Sequence, residues 1–138
     1  MRHLARLLLG VALLALPSMA AEIKVVANAS VHASSVSAED LKGVFLAIRT
    51  SLPDGSHVEP VLLKSGATHA AFVKEYLGKT DSGLETYYRS LVFTGKGFMP
   101  KVLASEADLV KYVSKTKGAI GYVSTGTDTD STRVIEIK

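Results

Sequence analysis

Apolar positions along this chain repeat with two different periods. Runs with a β-branched, extended character occupy Ile23 to Ala27, Val58 to Leu63, Ala119 to Val123 and Arg133 to Ile137, and each predicts a short strand. Helical spacing lies between them. Leu41, Val44, Phe45 and Ile48 at i, i+3, i+4 and i+7 predict a helix over 38–47. Ala70, Val73 and Leu77, with Phe72 and Tyr76 beside them, predict one over 68–77 that stops at Gly78. Leu84, Tyr87, Tyr88 and Leu91 predict a third over 82–90, and Leu109, Val110 and Val113 a fourth over 106–115. Strands alternating with helices imply one α/β domain with a mixed or largely parallel sheet. The expected core includes Val25, Leu41, Phe45, Leu62, Phe72, Leu91, Val110 and Ile120.

Cap chemistry sharpens these boundaries. Ser37 precedes Asp40 by three residues and Ser105 precedes Asp108 by three, the spacing of a capping box, in which the N-cap hydroxyl accepts from the backbone N–H three residues on. Lys111, Lys115 and Lys117 gather at the other end of the fourth helix, where a dipole favours cations. Pro53-Asp54-Gly55 is a turn, and Pro60 suits an edge strand or a strand start. Thr94 to Lys101 is expected to be a loop.

The N-terminus has a different pattern. Arg2, His3 and Arg6 precede an unbroken apolar run, Leu7 to Leu16, followed by Pro17-Ser18-Met19-Ala20. A charged segment, a short apolar segment and small residues three places and one place before a cleavage point are expected of a secretory signal peptide, here 1–20, cut after Ala20. A membrane span needs roughly 20 apolar residues, more than this run supplies, so no membrane anchor is expected after cleavage. The expected location is the periplasm.

Cleavage changes the charge. Without Arg2 and Arg6 the chain keeps 14 basic residues against 13 acidic ones, a net +1 in place of +3. No basic face with interleaved aromatics remains to read nucleic acid. The sequence has no cysteine, which excludes a disulfide framework, an iron–sulfur cluster and a thiol nucleophile. His32, His57 and His69 lack metal-ligand spacing and are expected on the surface, so no metal, cofactor or catalytic residue is assigned and the chain is not expected to be an enzyme.

One segment carries specific chemistry. After the strand ending near Leu63 the chain turns through Lys64-Ser65-Gly66-Ala67-Thr68 into a helix. Free N–H groups of a first helical turn, two hydroxyls and a neighbouring ammonium make a place for an oxyanion. A second explanation is equally local: Ser65 or Thr68 caps the helix. Ser34 and Ser35, in the serine-rich loop after the first strand, could join this site, because ligands of open α/β sheets gather at the carboxyl ends of strands.

Three stretches of the chain resemble a known family, the type 2 periplasmic substrate-binding proteins of phosphate transporters. Ser37-Ala38-Glu39-Asp40-Leu41-Lys42-Gly43-Val44-Phe45-Leu46-Ala47-Ile48-Arg49-Thr50 is similar to its S-x-E-x-L-x-x-I-F-x-G-K-x-T helix, with Ala47 where that pattern has glycine. Ser65-Gly66-Ala67-Thr68 is similar to its phosphate-binding S-G-T helix start, with Ala67 at the middle position, and Gly118-Ala119-Ile120-Gly121-Tyr122-Val123 matches its G-A-I-G-Y-V strand. The resemblance implies a periplasmic-binding-protein-like fold, a mixed sheet flanked by helices and about the size of one lobe. It also implies phosphate or another oxyanion as ligand of Lys64, Ser65, Gly66 and Thr68, and an ABC transporter permease as partner. The alternative is a periplasmic interaction or sensory module that has kept the fold without binding a small molecule.

Overall fold

The computed structural model describes residues 22–138, so the signal-peptide expectation for 1–20 lies outside the described residues. Six strands and four helices follow one another as β1 (Ile23–Ala27), β2 (Ser35–Val36), α1 (Ala38–Phe45), β3 (Glu59–Leu63), α2 (Ala67–Phe72), α3 (Asp81–Phe93), β4 (Lys101–Leu103), α4 (Glu106–Lys115), β5 (Ala119–Ser124) and β6 (Arg133–Ile137). α2 runs on into a π-helical turn, Val73–Leu77, that ends at Gly78. The fold is α/β, as the alternating periods imply. β2 and β4, too short to leave a pattern, are additions to the expected elements.

The sheet is mixed, with strands in the order β2-β6-β1-β5-β3-β4. β1 runs antiparallel to both β5 and β6, whereas β3 runs parallel to β4 and β5. β3 is therefore an inner strand, and Pro60 is accommodated as its second residue rather than by an edge position. Among the described residues no helix is long and apolar enough to cross a membrane.

The G-A-I-G-Y-V stretch shows how the two layers are set. Neighbouring residues of a strand face opposite sides of the sheet. Gly121 faces α4, where a Cβ would stand 2.8 Å from Leu109 Cδ2, so the missing side chain is what lets that helix lie against the strand. Tyr122 faces the other way and packs its ring on Phe72 of α2, with centroids 3.8 Å apart. Phe45 of α1 meets both rings edge-on. The core thus has an aromatic cluster on one face of β5 and aliphatic packing from α4 on the other.

Seven of the eight expected core residues are buried. Leu91 is the exception: it lies in the last turn of α3 and is half-buried, packed at the border of the core. The inward stripe of α2 and its π turn is His69, Phe72, Val73 and Leu77, while Ala70 is exposed.

Helix ends follow the expected cap chemistry at two places. Ser37 accepts from the Asp40 N–H at 3.0 Å and Ser105 from the Asp108 N–H at 3.1 Å. The end of α1 is a Schellman closure, in which Ile48 N–H donates to the Gly43 carbonyl at 2.8 Å and Ala47 N–H to that of Val44 at 3.2 Å. The Tyr87 and Tyr88 hydroxyls donate to the Leu46 and Phe45 carbonyls, supplying partners that the helix end lacks. Ala47 itself has φ 59°, a left-handed conformation in which its Cβ is crowded. Ala47→Gly is expected to raise the unfolding free energy by about 1 kcal/mol, because glycine adopts this conformation without that clash. Urea unfolding of the two proteins checks this, and an unchanged or lower stability would count against the closure.

Candidate functional site

β3 delivers the chain to the candidate anion site. Lys64 N–H still donates to Leu103 of β4 at 2.9 Å, and the backbone then leaves the sheet through exposed Ser65 and Gly66. Gly66 has φ 105° and ψ 173°, a combination essentially confined to glycine. It is the N-cap of α2, and no side chain caps that helix. The capping explanation for Ser65 and Thr68 therefore fails: both hydroxyls stand beside the helix start without closing it. Lys64 is exposed next to them and Thr68 is half-buried.

Ser34 and Ser35 are not brought to this turn. β1 is antiparallel to β5 and β5 is parallel to β3, so the carboxyl ends of β1 and β3 lie at opposite ends of the sheet. The loop after β1 crosses back and re-enters as β2, on the far side of β6, β1 and β5 from β3. At the usual spacing of about 4.8 Å between strands, that is on the order of 19 Å from β3. There Ser34 and Ser35 line a separate cleft of about 380 Å³ with Asp40, Asp54 and Lys138. Ser30, from the same loop, has a structural task, accepting from the Gly118 N–H at 2.9 Å.

His32 and His57 are exposed, as expected, but His69 is 3% exposed, which corrects the expectation of a surface histidine. It follows Thr68 directly and sits in a chain of hydrogen bonds that brackets the turn. Leu63 N–H donates to Tyr122 Oη at 3.1 Å, Tyr122 Oη meets His69 Nδ1, and His69 Nε2 meets Asp81 Oδ1 at 2.8 Å. Burial pushes the Tyr122 hydroxyl far above its ordinary pKa, so it keeps its proton. With Leu63 already donating to that oxygen, the tyrosine proton goes to Nδ1, and the histidine is the Nε2–H tautomer donating to Asp81. Each polar group of this relay has a partner. The residues on either side of Lys64 to Thr68 are thereby tied to β5 and to the first turn of α3, which holds the turn between two anchored ends.

The periodicity contained a signal for His69: it stands three and four residues before Phe72 and Val73, on the stripe that faces the sheet. Tyr122→Phe removes one oxygen and leaves both the Leu63 N–H and His69 Nδ1 without a partner. It is expected to destabilise the protein by roughly 1–3 kcal/mol, the scale of an orphaned buried polar group. Chemical denaturation reads the change, and a loss near zero would mean the hydroxyl links nothing.

No protein-family model matches the sequence, and no curated protein matches it. Solved structures do share its fold. An ABC-type phosphate transport receptor from Vibrio cholerae superposes with a TM-score of 0.64 at 18% identity, over 84% of this chain and 46% of that one. PstS from Borrelia burgdorferi superposes with a TM-score of 0.64 at 11% identity, over 85% of this chain and 47% of its own. The chain spans a little under half the length of these receptors. The shared fold is the periplasmic-binding-protein-like one, a six-stranded mixed sheet flanked by helices.

Proposed function

We propose that this chain is an exported, non-catalytic solute-binding protein that takes phosphate or a similar oxyanion at the Lys64 to Thr68 turn and serves an ABC transporter permease in the periplasm. The observation that carries the reading is the helix start at Gly66: its conformation is reserved for glycine and its first turn has no side-chain cap. First-turn N–H groups, the hydroxyls of Ser65 and Thr68 and the Lys64 ammonium lie within five consecutive residues and are of the donor kinds an oxyanion requires. The fold shared with phosphate receptors supports the same reading.

Binding here is to an open surface, where charge-assisted hydrogen bonds are weaker than in a closed cleft. Calorimetric titration of inorganic phosphate, with sulfate alongside, tests the proposal. A saturable heat is expected with the wild type, and Ser65→Ala and Thr68→Ala should each weaken binding by roughly 5- to 150-fold, the equivalent of 1–3 kcal/mol. If no heat develops at millimolar phosphate and both variants change only thermal stability, the oxyanion reading fails. The second reading, a periplasmic interaction or sensory module, is favoured by the exposed apolar surface around Phe93 and Phe98.

A further inference from the structure

Large hydrophobic side chains left outside the core are concentrated in one stretch. Phe93 and Phe98 are 93% and 91% exposed, and Val92, Met99 and Val102 are each about half exposed or close to it. All five belong to the last turns of α3, the loop after it, and β4. Phe98 and Met99 also form one wall of a groove of about 470 Å³, whose other walls include Val44, Val58 and Tyr88. The groove lies at the amino end of β3, the end opposite the Lys64 to Thr68 turn. Its size is that of a recognition site rather than a packing defect. β4, which borders it, is the last strand of the sheet, so among the described residues the outer side of that strand has no neighbour to pair with.

Charge around the groove narrows what can fill it. Lys96 and Lys101 stand at its rim, and among the described residues neither has a carboxylate within ion-pair distance. Of the other charged residues there, Arg49 pairs with Asp40 at 2.9 Å, and Glu59 lies 3.5 Å from His57 Nε2, a contact that is an ion pair only when that histidine is protonated. A second copy of this chain docking face to face would set these lysines against their own counterparts, like charge against like. Carboxylates on either side of an apolar anchor satisfy both the lysines and the walls.

We propose that the groove docks an extended acidic segment of a partner protein, with one aromatic or large aliphatic side chain against Phe98 and Met99 and carboxylates on Lys96 and Lys101. The segment then lies along the open side of β4, the mode in which peptides add to a free sheet edge. The assignment stands on the groove and its cations, whether or not an oxyanion binds at the far end of β3.

Selection of randomised short peptides displayed on phage, with the protein immobilised, tests this, followed by fluorescence anisotropy on the resynthesised peptides. Enriched sequences are expected to share an aromatic or aliphatic residue flanked by Asp or Glu. Their affinity should fall at least about tenfold in Phe98→Ser and in the Lys96→Glu, Lys101→Glu double variant, and should weaken with added salt. Both substitutions lie on the surface, so thermal unfolding should be little changed, and phosphate titration of Phe98→Ser should match the wild type. No enrichment, enrichment of basic or uncharged sequences, or equal binding to the variants overturns the proposal. A concentration-dependent dimer in sedimentation that Phe98→Ser dissolves also overturns it, by making a second copy the occupant.

Discussion

Phe45→Ala is expected to lower the unfolding free energy by roughly 3–5 kcal/mol, the range for deleting a fully buried aromatic side chain. Phe45 is 0% exposed and occupies the point where three elements meet. Its ring is edge-on to Phe72 of α2 at 4.9 Å and to Tyr122 of β5 at 5.8 Å, and its carbonyl receives the Tyr88 hydroxyl of α3. Alanine would remove the transfer energy of the ring and leave a space that these neighbours cannot all collapse into, since Phe72 and Tyr122 are held against each other by their own stacking. Urea denaturation is the measurement, with the midpoint moving and the slope unchanged. A loss below about 1 kcal/mol, the scale of surface substitutions, would place Phe45 outside the core.

Gly66→Val is expected to abolish phosphate binding at the Lys64 to Thr68 turn, with a smaller cost to the fold. A Cβ at this position meets nothing within 4 Å, so steric overlap with the protein is not the cause. The cause is φ 105° with ψ 173°: a β-branched residue is driven out of this region, and the backbone that presents the first-turn N–H groups moves with it. Forcing such a conformation costs on the order of 1–3 kcal/mol, which bounds the loss of stability. Calorimetry with phosphate should show no saturable heat, while circular dichroism retains the wild-type spectrum. A Gly66→Val variant that binds as well as wild type would show that the turn's conformation is irrelevant to the ligand.

These two positions differ in how far the residues alone reveal them. Phe45 is legible because helical spacing with Leu41 and Val44 marks an inward stripe, and an inward phenylalanine is buried in any arrangement of the layers. Gly66 is legible as a candidate because a glycine between two hydroxyl-bearing residues at a strand-to-helix turn suits an anion. The same residues suit a cap, and nothing local separates the two. What the structure adds is the N-cap itself, which is Gly66, with no side-chain cap on the helix.

The sequence by itself determined the elements whose evidence is local. β1 and β6 keep the bounds their apolar runs predict, and α4 runs from Glu106 to Lys115 between its serine cap and its terminal lysines, as its spacing predicts. Periodicity states which side of an element faces inward, and cap chemistry states where it begins. Neither states which way a strand runs beside its neighbours. That β1 opposes β3 follows from the ladders each makes with β5, and it is the strand order, with β2 beyond β6, β1 and β5, that carries Ser34 and Ser35 away from the turn. The burial of His69 was likewise decided in three dimensions, because a polar ring can be sheltered only where other elements bring it partners, here Tyr122 and Asp81. Phe93 and Phe98 show the converse: residues that a composition argument would send to the core stay outside, since α3 ends and β4 begins at a sheet edge where no further layer of the described residues covers them.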